Sequence, residues 1–260
     1  MKKVFLTMVL VGSLGVVHAQ NNSNSLRESL LEPDNSEVFV IAHRGDWHGT
    51  AENSLHAIQK AIEKGAKIAL VDLQRTKDGE LVLFSDPTLE RLTNGTGAVS
   101  DKTLEELRKL SYKEYQGDAS QAFIPTWKEA LAFAQGKILL EVTPGDYLEQ
   151  VIEEATAAHA LQNIIISGER PSQEDVMFIP VVDLDGEDAL QQLATCLEAK
   201  PVAVELRYRS DDNTLLPQAL QQLKGRCRIC FNTLKEGLAG SHVDVNRERT
   251  PDQTWGTLIR

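Results

Sequence analysis

Short apolar runs alternate with amphipathic segments along most of the chain. The runs that predict strands are residues 37–42, 68–73, 81–84, 137–142, 164–167, 178–182, 202–206 and 228–232. Helical spacing of apolar residues predicts helices over 52–64 and near 147–160, 187–199 and 214–223, and a capping box at Thr126 opens another that ends at Ala134. Repeated strand-helix units over this length predict an α/β fold, a closed (β/α)₈ TIM-type barrel.

The second and third apolar runs break this alternation, because only a short link separates them. The link contains Asp78-Gly79, a turn signal, and is too short for a crossover helix, so it predicts a hairpin. If both hairpin strands belong to the barrel, eight barrel strands can be counted. If only one does, the barrel lacks its last strand, and the sequence leaves both possibilities open.

The first residues have the pattern of a secretory signal peptide. Lys2 and Lys3 precede an uncharged apolar run over 4–17, and small residues ending at Ala19 suit a signal peptidase. The run is shorter than the roughly 20 residues that span a membrane, so no membrane span is expected. We therefore predict a signal peptide over 1–19, a polar N-terminal segment over 20–36, a barrel domain over 37–260, and a periplasmic or secreted bacterial protein.

Composition and charge narrow the range of partners. The apolar fraction of 42% suffices for one large core, and the net charge of −11 argues against nucleic acid as a partner. A local basic pocket could still hold a single phosphate. Cys227 and Cys230 lie three apart on a predicted strand, so their side chains point to opposite faces and no disulfide between them is expected.

An ordered series of motifs lies between Ile41 and Leu110. The motifs are Ala42-His43-Arg44-Gly45, Glu52-Asn53-Ser54, Gly65-Ala66, Asp72, Thr76-Lys77-Asp78-Gly79, Ser85-Asp86-Pro87, Leu89-Glu90-Arg91, Thr93-Asn94-Gly95-Thr96-Gly97 and 104–107. In order and spacing they resemble the glycerophosphodiester phosphodiesterase family. Residues 124–126 and 138–141 resemble it more weakly, and 232–234 with Trp255-Gly256 resemble one exported branch.

The resemblance implies a metal-dependent hydrolase of lipid metabolism, which releases glycerol 3-phosphate and an alcohol from a small phosphodiester. It implies that His43 transfers protons and that Arg44 binds the phosphate. A divalent cation, Mg²⁺ or Ca²⁺, would be held by Asp72 and Glu141, with Glu52 as a further candidate ligand.

Three positions depart from the family pattern. Ser85 stands where the second histidine is expected, Leu70 where the first carboxylate of a Glu-x-Asp triplet is expected, and Thr143 where a phosphate-binding lysine is expected. A missing general acid or base costs about 10²–10⁴ in rate. We therefore expect the metal to be weakly bound or absent, and hydrolysis to be weak or lost.

Nearby residues could replace the missing groups, and His48, His56 and Asp86 are the candidates. Two functional classes remain: a weak phosphodiesterase, and a non-catalytic protein that binds a phosphate ester on the same barrel. A third alternative is a barrel that serves only as an interaction scaffold. Leu70 and Ser85 separate them, because an enzyme needs substitutes for both and a binding protein does not.

Overall fold

The structure is a computed structural model that describes residues 25–34, 36–113, 119–120, 122–232, 234, 239 and 258–259. The predicted signal peptide and Trp255-Gly256 lie outside the described residues. Within those residues, no helix has the length and apolar content needed to cross a membrane.

Most of the predicted strands and helices are present in the structure. The strands are β1 (Phe39–His43), β2 (Ile68–Val71), β3 (Leu73–Arg75), β4 (Leu81–Leu83), β5 (Tyr112–Lys113), β6 (Ala119–Ser120), β7 (Leu139–Val142), β8 (Ile164–Gly168), β9 (Met177–Asp183), β10 (Ala203–Arg207), β11 (Arg228–Phe231) and β12 (Leu258–Ile259). The helices are α1 (25–31), α2 (Leu55–Glu63), α3 (Leu104–Leu107), α4 (Trp127–Ala134), α5 (Leu148–Ala157), α6 (Ala189–Glu198) and α7 (Leu216–Leu223). Single 3₁₀ turns occupy Val99–Asp101, Gly145–Tyr147 and Leu161–Asn163. The structure adds α1, α3, β5, β6 and β12 to the predicted elements.

The strands close into a barrel in the order β1-β12-β11-β10-β9-β8-β7-β2. Neighbouring strands are parallel except β12, which pairs antiparallel with both β1 and β11. The predicted TIM-type barrel is confirmed by the parallel strands. A two-residue antiparallel strand takes the place of the last one, and the edges of β1 and β11 are both paired.

The predicted hairpin is confirmed, but it lies outside the barrel. Strands β3 and β4 form a separate antiparallel pair. The predicted strand 68–73 divides at Asp72, whose backbone N–H donates to the Asn53 side chain at 3.1 Å instead of to a neighbouring strand. The backbone oxygen of Asp72 accepts from Phe84 N–H at 2.9 Å, which starts the hairpin.

Side chains alternate along each barrel strand between the lumen and the helical layer. Ile41, Ile68, Leu139 and Ile165 belong to one buried cluster inside the barrel. Residues next to them in the chain pack outward beneath the helices. As predicted, Cys230 faces the lumen cluster and Cys227 the outer one, and the three cysteines are free.

Helix α1 closes the amino-terminal end of the barrel. It lies before residue 37, where the predicted barrel domain begins. Leu30 is fully buried in the lumen cluster. The fully buried guanidinium of Arg228 donates to the backbone oxygens of Ser29, Leu30 and Glu37 at 2.8, 2.9 and 2.9 Å. It also lies 4.6 Å from the ring centre of Phe39. We call residues 25–31 together with Arg228 the barrel plug.

Helix starts follow local side-chain chemistry. Thr126 and Glu129 form the predicted capping box at the start of α4, and Thr103 and Glu106 form a second one at α3. Ser54 accepts a hydrogen bond from Ala57 N–H at 3.0 Å and so begins α2. Because α2 begins at Leu55, the loop between β1 and α2, which carries Arg44, is held at both ends.

Candidate active site at the carboxyl ends of the strands

Polar side chains replace apolar ones at the carboxyl ends of the barrel strands. This is the end where barrels of this type bind their ligands. By position along their strands, the lumen-facing polar residues there are His43, Asp72, Glu141, Thr143, Ser167, Asp183, Glu205, Arg207 and Asn232.

Arg44 joins two of the predicted site carboxylates. Its Nε lies 2.7 Å from Asp72 Oδ2 and its Nη1 lies 2.9 Å from Glu52 Oε1. The Arg44 and Asp72 side chains are about a quarter exposed, and that of Glu52 is 11% exposed. Partial burial strengthens such charge-assisted bonds compared with those on an open surface. Sequence reasoning therefore identified residues that do lie together.

Ser85 and Asn53 complete the hydrogen bonding between these carboxylates. The Ser85 hydroxyl donates to Glu52 Oε1 at 2.6 Å. The Asn53 amide donates to Ser85 Oγ at 2.6 Å and to Asp72 Oδ2 at 3.3 Å. Ser85 thus occupies the predicted position of the second histidine, and it acts there as a hydrogen-bond relay that cannot titrate near neutral pH.

Arg91 is a second cation in this network. Its Nη2 lies 2.8 Å from Glu52 Oε1, and its Nε lies 2.6 Å from Asp86 Oδ2. Burial raises the pKa of Glu52, but hydrogen bonds from Arg91 and Ser85 and the charge of Arg44 outweigh burial and hold that pKa below its ordinary value. Glu52 is therefore ionised at neutral pH, paired to two guanidinium groups.

Glu141 lies apart from this network, deep in the lumen. It aligns with Leu70 of the neighbouring strand and accepts a hydrogen bond from the Ser167 hydroxyl. Its Oε2 has no partner among the described residues. Burial raises the pKa of Glu141 to about 7, against the hydrogen bond from Ser167 and with the help of the Glu205 charge.

These positions do not fit a divalent cation as they are arranged. Among the described residues, no group of three or more His, Cys, Asp or Glu side chains is placed to hold a metal ion. Arginine and amide N–H groups already bind Glu52 and Asp72 Oδ2. Leu70, which lies between His43 and Glu141 in the register, offers no side-chain oxygen. The weakly bound or absent cation stays a prediction.

Comparison with known sequences decides the family. Residues 43–178 match the model of the Glycerophosphoryl diester phosphodiesterase family, and residues 178–260 match a domain of unknown function. The chain belongs to the glycerophosphoryl diester phosphodiesterase family. The resemblance carried by the motifs between Ile41 and Leu110 is thereby confirmed.

Curated members of this family match part of the chain. A glycerophosphodiester phosphodiesterase from Caldanaerobacter subterraneus subsp. tengcongensis is 39% identical over 126 residues, which cover 45% of this chain and 50% of that protein. Glycerophosphodiester phosphodiesterase 1 from Homo sapiens is 40% identical over 106 residues, 40% of this chain and 32% of that protein. The chain therefore spans half or less of the length of these relatives.

Solved structures of family members share the fold. A glycerophosphoryl diester phosphodiesterase from Parabacteroides distasonis superposes with a TM-score of 0.66 at 25% identity, covering 80% of this chain and 76% of that one. An Oleispira antarctica phosphodiesterase in complex with the product sn-glycerol-3-phosphate gives a TM-score of 0.56 at 21% identity, covering 74% and 82%. The second likeness is evidence for the fold alone.

The other candidates from the family pattern divide into two groups. Asp86 joins the network through Arg91. His48 instead pairs with buried Asp46 at 3.0 Å, and His56 is exposed on α2. Thr143 is exposed just beyond the end of β7. Replacement by His48 or His56 of the histidine that the family pattern places at Ser85 stays a prediction.

Sequence reasoning assigned no role to Asn53 and Arg91, although both lie within quoted family motifs. Asn53 follows Glu52 directly and is fully buried, and its amide donates hydrogen bonds to both Asp72 and Ser85. Arg91 ends the Leu89-Glu90-Arg91 motif. A polar residue inside a matched motif was the available signal, but its partner on another segment could not be read from the sequence.

Replacing Gly45 with alanine is expected to destabilise the loop that carries Arg44. Gly45 has φ +75°, and an added Cβ would lie 2.6 Å from the carbonyl carbon of Ala57. Gly49→Ala is the matched control, since φ there is +70° but the nearest atom is Lys60 Nζ at 4.0 Å. We expect Gly45→Ala to lower the free energy of unfolding by about 2 kcal/mol more than Gly49→Ala in urea titrations. Equal losses would contradict the close packing of this loop on α2.

Proposed function

We propose that this protein binds a small phosphodiester or phosphate ester at the mouth of the barrel and hydrolyses glycerophosphodiesters weakly or not at all. The observation that carries the proposal is the hydrogen bond from Ser85 to Glu52 inside the Arg44 network. The family's phosphate-binding arginine is present there, whereas a hydroxyl stands in place of a titrating imidazole.

The chemistry of phosphodiester cleavage explains why hydrolysis is expected to be weak. Cleavage needs one group that takes a proton, another that gives one, and positive charge near the phosphoryl oxygens. His43 at the end of β1 can serve as one proton-transfer group. Ser85 cannot serve as the other near neutral pH. A bound divalent cation would supply charge stabilisation, but Leu70 offers it no ligand.

Binding without cleavage is the second candidate, and the state of Arg44 favours it. Two of its guanidinium nitrogens are fixed by Glu52 and Asp72. Its Nη2 has no hydrogen-bond partner among the described residues, so it remains available for a phosphate oxygen. An arginine held in this way is preorganised, and it loses little conformational freedom when a ligand arrives.

The proposal includes location and cofactor. We infer that the protein is exported and acts in the bacterial periplasm or outside the cell, because Lys2 and Lys3 precede the apolar run that ends near Ala19. We propose that any Mg²⁺ or Ca²⁺ binds weakly or not at all, because N–H groups of Arg44 and Asn53 already bind Asp72 and Glu52.

The purified protein is expected to release glycerol 3-phosphate from glycerophosphocholine far more slowly than the Caldanaerobacter relative, in buffer with Mg²⁺ or Ca²⁺. Calorimetric titration with glycerol 3-phosphate is expected to show binding, which Arg44→Gln should weaken on the order of tenfold. Turnover equal to that of the relative would contradict weak hydrolysis. Absence of both turnover and binding would leave only the scaffold alternative.

A further inference from the structure

A second arginine stands at the mouth of the barrel, outside the network of Arg44. Arg207 is the last residue of β10, and it alternates with Leu206 and Tyr208, which pack outward in the helical layer. By this alternation Arg207 lies on the lumen side. Its side chain is 40% exposed, so solvent and a small ligand can reach it.

A buried carboxylate fixes one edge of this guanidinium. The Glu205 side chain is 10% exposed, and its Oε1 lies 2.7 Å from Arg207 Nε. The same oxygen accepts a weaker contact from the Asn232 amide at 3.4 Å. Glu205 and Arg207 are two residues apart on one strand and therefore share a face. The arginine is thus oriented through Nε.

The other edge of the guanidinium has no hydrogen-bond partner within the part of the chain that the structure describes. No hydrogen bond or ion pair to its Nη1 or Nη2 occurs among the described residues. Asp183 is the register partner of Arg207 on β9, but its Oδ1 accepts from the Asp185 backbone N–H at 2.9 Å instead. A guanidinium held by Nε with both Nη groups available can donate two parallel hydrogen bonds to a phosphate.

Arg207 shares the lumen with the other polar residues of the site. Burial raises the pKa of the Cys230 thiol, the charges of Glu141 and Glu205 raise it further, and the charge of Arg207 lowers it. Around the barrel, β12 and β11 separate β1 from β10. Arg44 and Arg207 therefore reach the mouth from different parts of the wall.

We propose that Arg207, positioned by Glu205 and Asn232, binds the phosphate group of the ligand together with Arg44. It thereby supplies the positive charge that Thr143, exposed and uncharged just beyond the end of β7, does not. This inference rests on the proposed function, because it concerns the same ligand and the same mouth of the barrel. It assigns phosphate recognition to β10.

Calorimetric titration of the full chain with sn-glycerol 3-phosphate tests this assignment, with glycerol as the ligand that lacks phosphate. Arg207→Gln is expected to weaken phosphate-ester binding on the order of tenfold or more. Arg209→Gln is the matched control: it removes the same charge two residues later from a side chain that is 82% exposed. We expect it to change affinity by less than about twofold, as screened surface charges do.

The positioning role of Glu205 is tested by comparing the effect of its replacement on ligand affinity with and without Arg207. General destabilisation would not give a difference between the two backgrounds. Glu205→Gln should weaken binding by a smaller factor in the native background, and it should have no further effect on affinity when Arg207→Gln is already present. Equal effects in both backgrounds would overturn the positioning role. If Arg207→Gln does not fold in a thermal melt, Arg207→Lys replaces it, and a several-fold loss is expected because the two parallel donors are gone.

The outcomes separate the two proposals. If the native chain does not bind glycerol 3-phosphate, the proposed function and this inference fail together. If the native chain binds it and Arg44→Gln weakens binding, but Arg207→Gln matches Arg209→Gln, the inference about Arg207 alone is overturned. Loss of affinity in Arg207→Gln with Arg209→Gln unchanged supports it.

Discussion

Replacing Leu70 with Glu and Ser85 with His in one chain is expected to raise glycerophosphocholine hydrolysis by about 10²-fold or more. The first change puts a carboxylate next to Glu141 in the β2–β7 register and two residues from Asp72. The second puts a titratable ring where Ser85 now contacts Glu52 at 2.6 Å. Together they restore two of the three groups that the family pattern predicts at positions 70, 85 and 143.

The control for this variant has similar shapes without the chemistry. Leu70→Gln with Ser85→Asn places polar groups of comparable size at both positions, but neither is ionisable, so we expect no gain in rate. Hydrolysis is measured as glycerol 3-phosphate release with and without Ca²⁺, and Ca²⁺ binding is measured separately by calorimetry. If both double variants gain equally, or if the Glu/His variant binds Ca²⁺ without any gain in rate, the proposal that Leu70 and Ser85 limit hydrolysis is wrong.

Replacing Arg228 with Met is expected to lower the free energy of unfolding by about 3 kcal/mol or more. The guanidinium is fully buried and donates to three backbone oxygens, those of Ser29, Leu30 and Glu37. Each buried acceptor left without a donor costs about 1–3 kcal/mol. Methionine keeps most of the apolar stem, so the loss reports the hydrogen bonds more than the packing.

Urea unfolding followed by circular dichroism measures this loss, with Arg226→Met as control. Arg226 is exposed two residues earlier, so its replacement is expected to change stability by less than about 0.5 kcal/mol. If both variants unfold at the same urea concentration, Arg228 does not hold the barrel plug. In the Arg228→Met variant, amide hydrogen exchange should also be faster in α1 than in β8.

Much of the barrel was predictable because alternating strand and helix patterns are local. The predicted strand at 164–167, for example, corresponds to β8 (Ile164–Gly168) within one residue. The predicted strand 68–73 failed at Asp72, since its end depends on a hydrogen bond to Asn53, nineteen residues earlier. Hydropathy carries no information about such a bond.

Helix α1 was missed for a related reason. Residues 20–36 read as polar, and of those that the structure describes only Leu26 and Leu30 pack in the lumen cluster. What fixes the helix is Arg228, almost two hundred residues away in the chain. The sequence alone gives no sign of that pairing.

The site shows the same division. Family motifs identified His43, Arg44, Glu52 and Asp72, and the structure joins the last three by direct hydrogen bonds. Arg207 could not be identified in this way, because it lies outside every motif that resembles the family. It becomes a candidate only when β10 places it beside Glu205 at the mouth.

Closure of this barrel joins segments that are far apart in the chain. Strand β12 pairs with β1 and β11, and Arg228 of β11 holds the helix that precedes β1. Contacts between such distant residues carry a large loop-closure entropy, so we expect them to form late in folding, after neighbouring units such as β7, β8 and β9 have paired. Until that last step, the growing sheet has two open edges that can pair with other chains. The time taken to bring these distant segments together therefore sets how long the folding protein is exposed to aggregation.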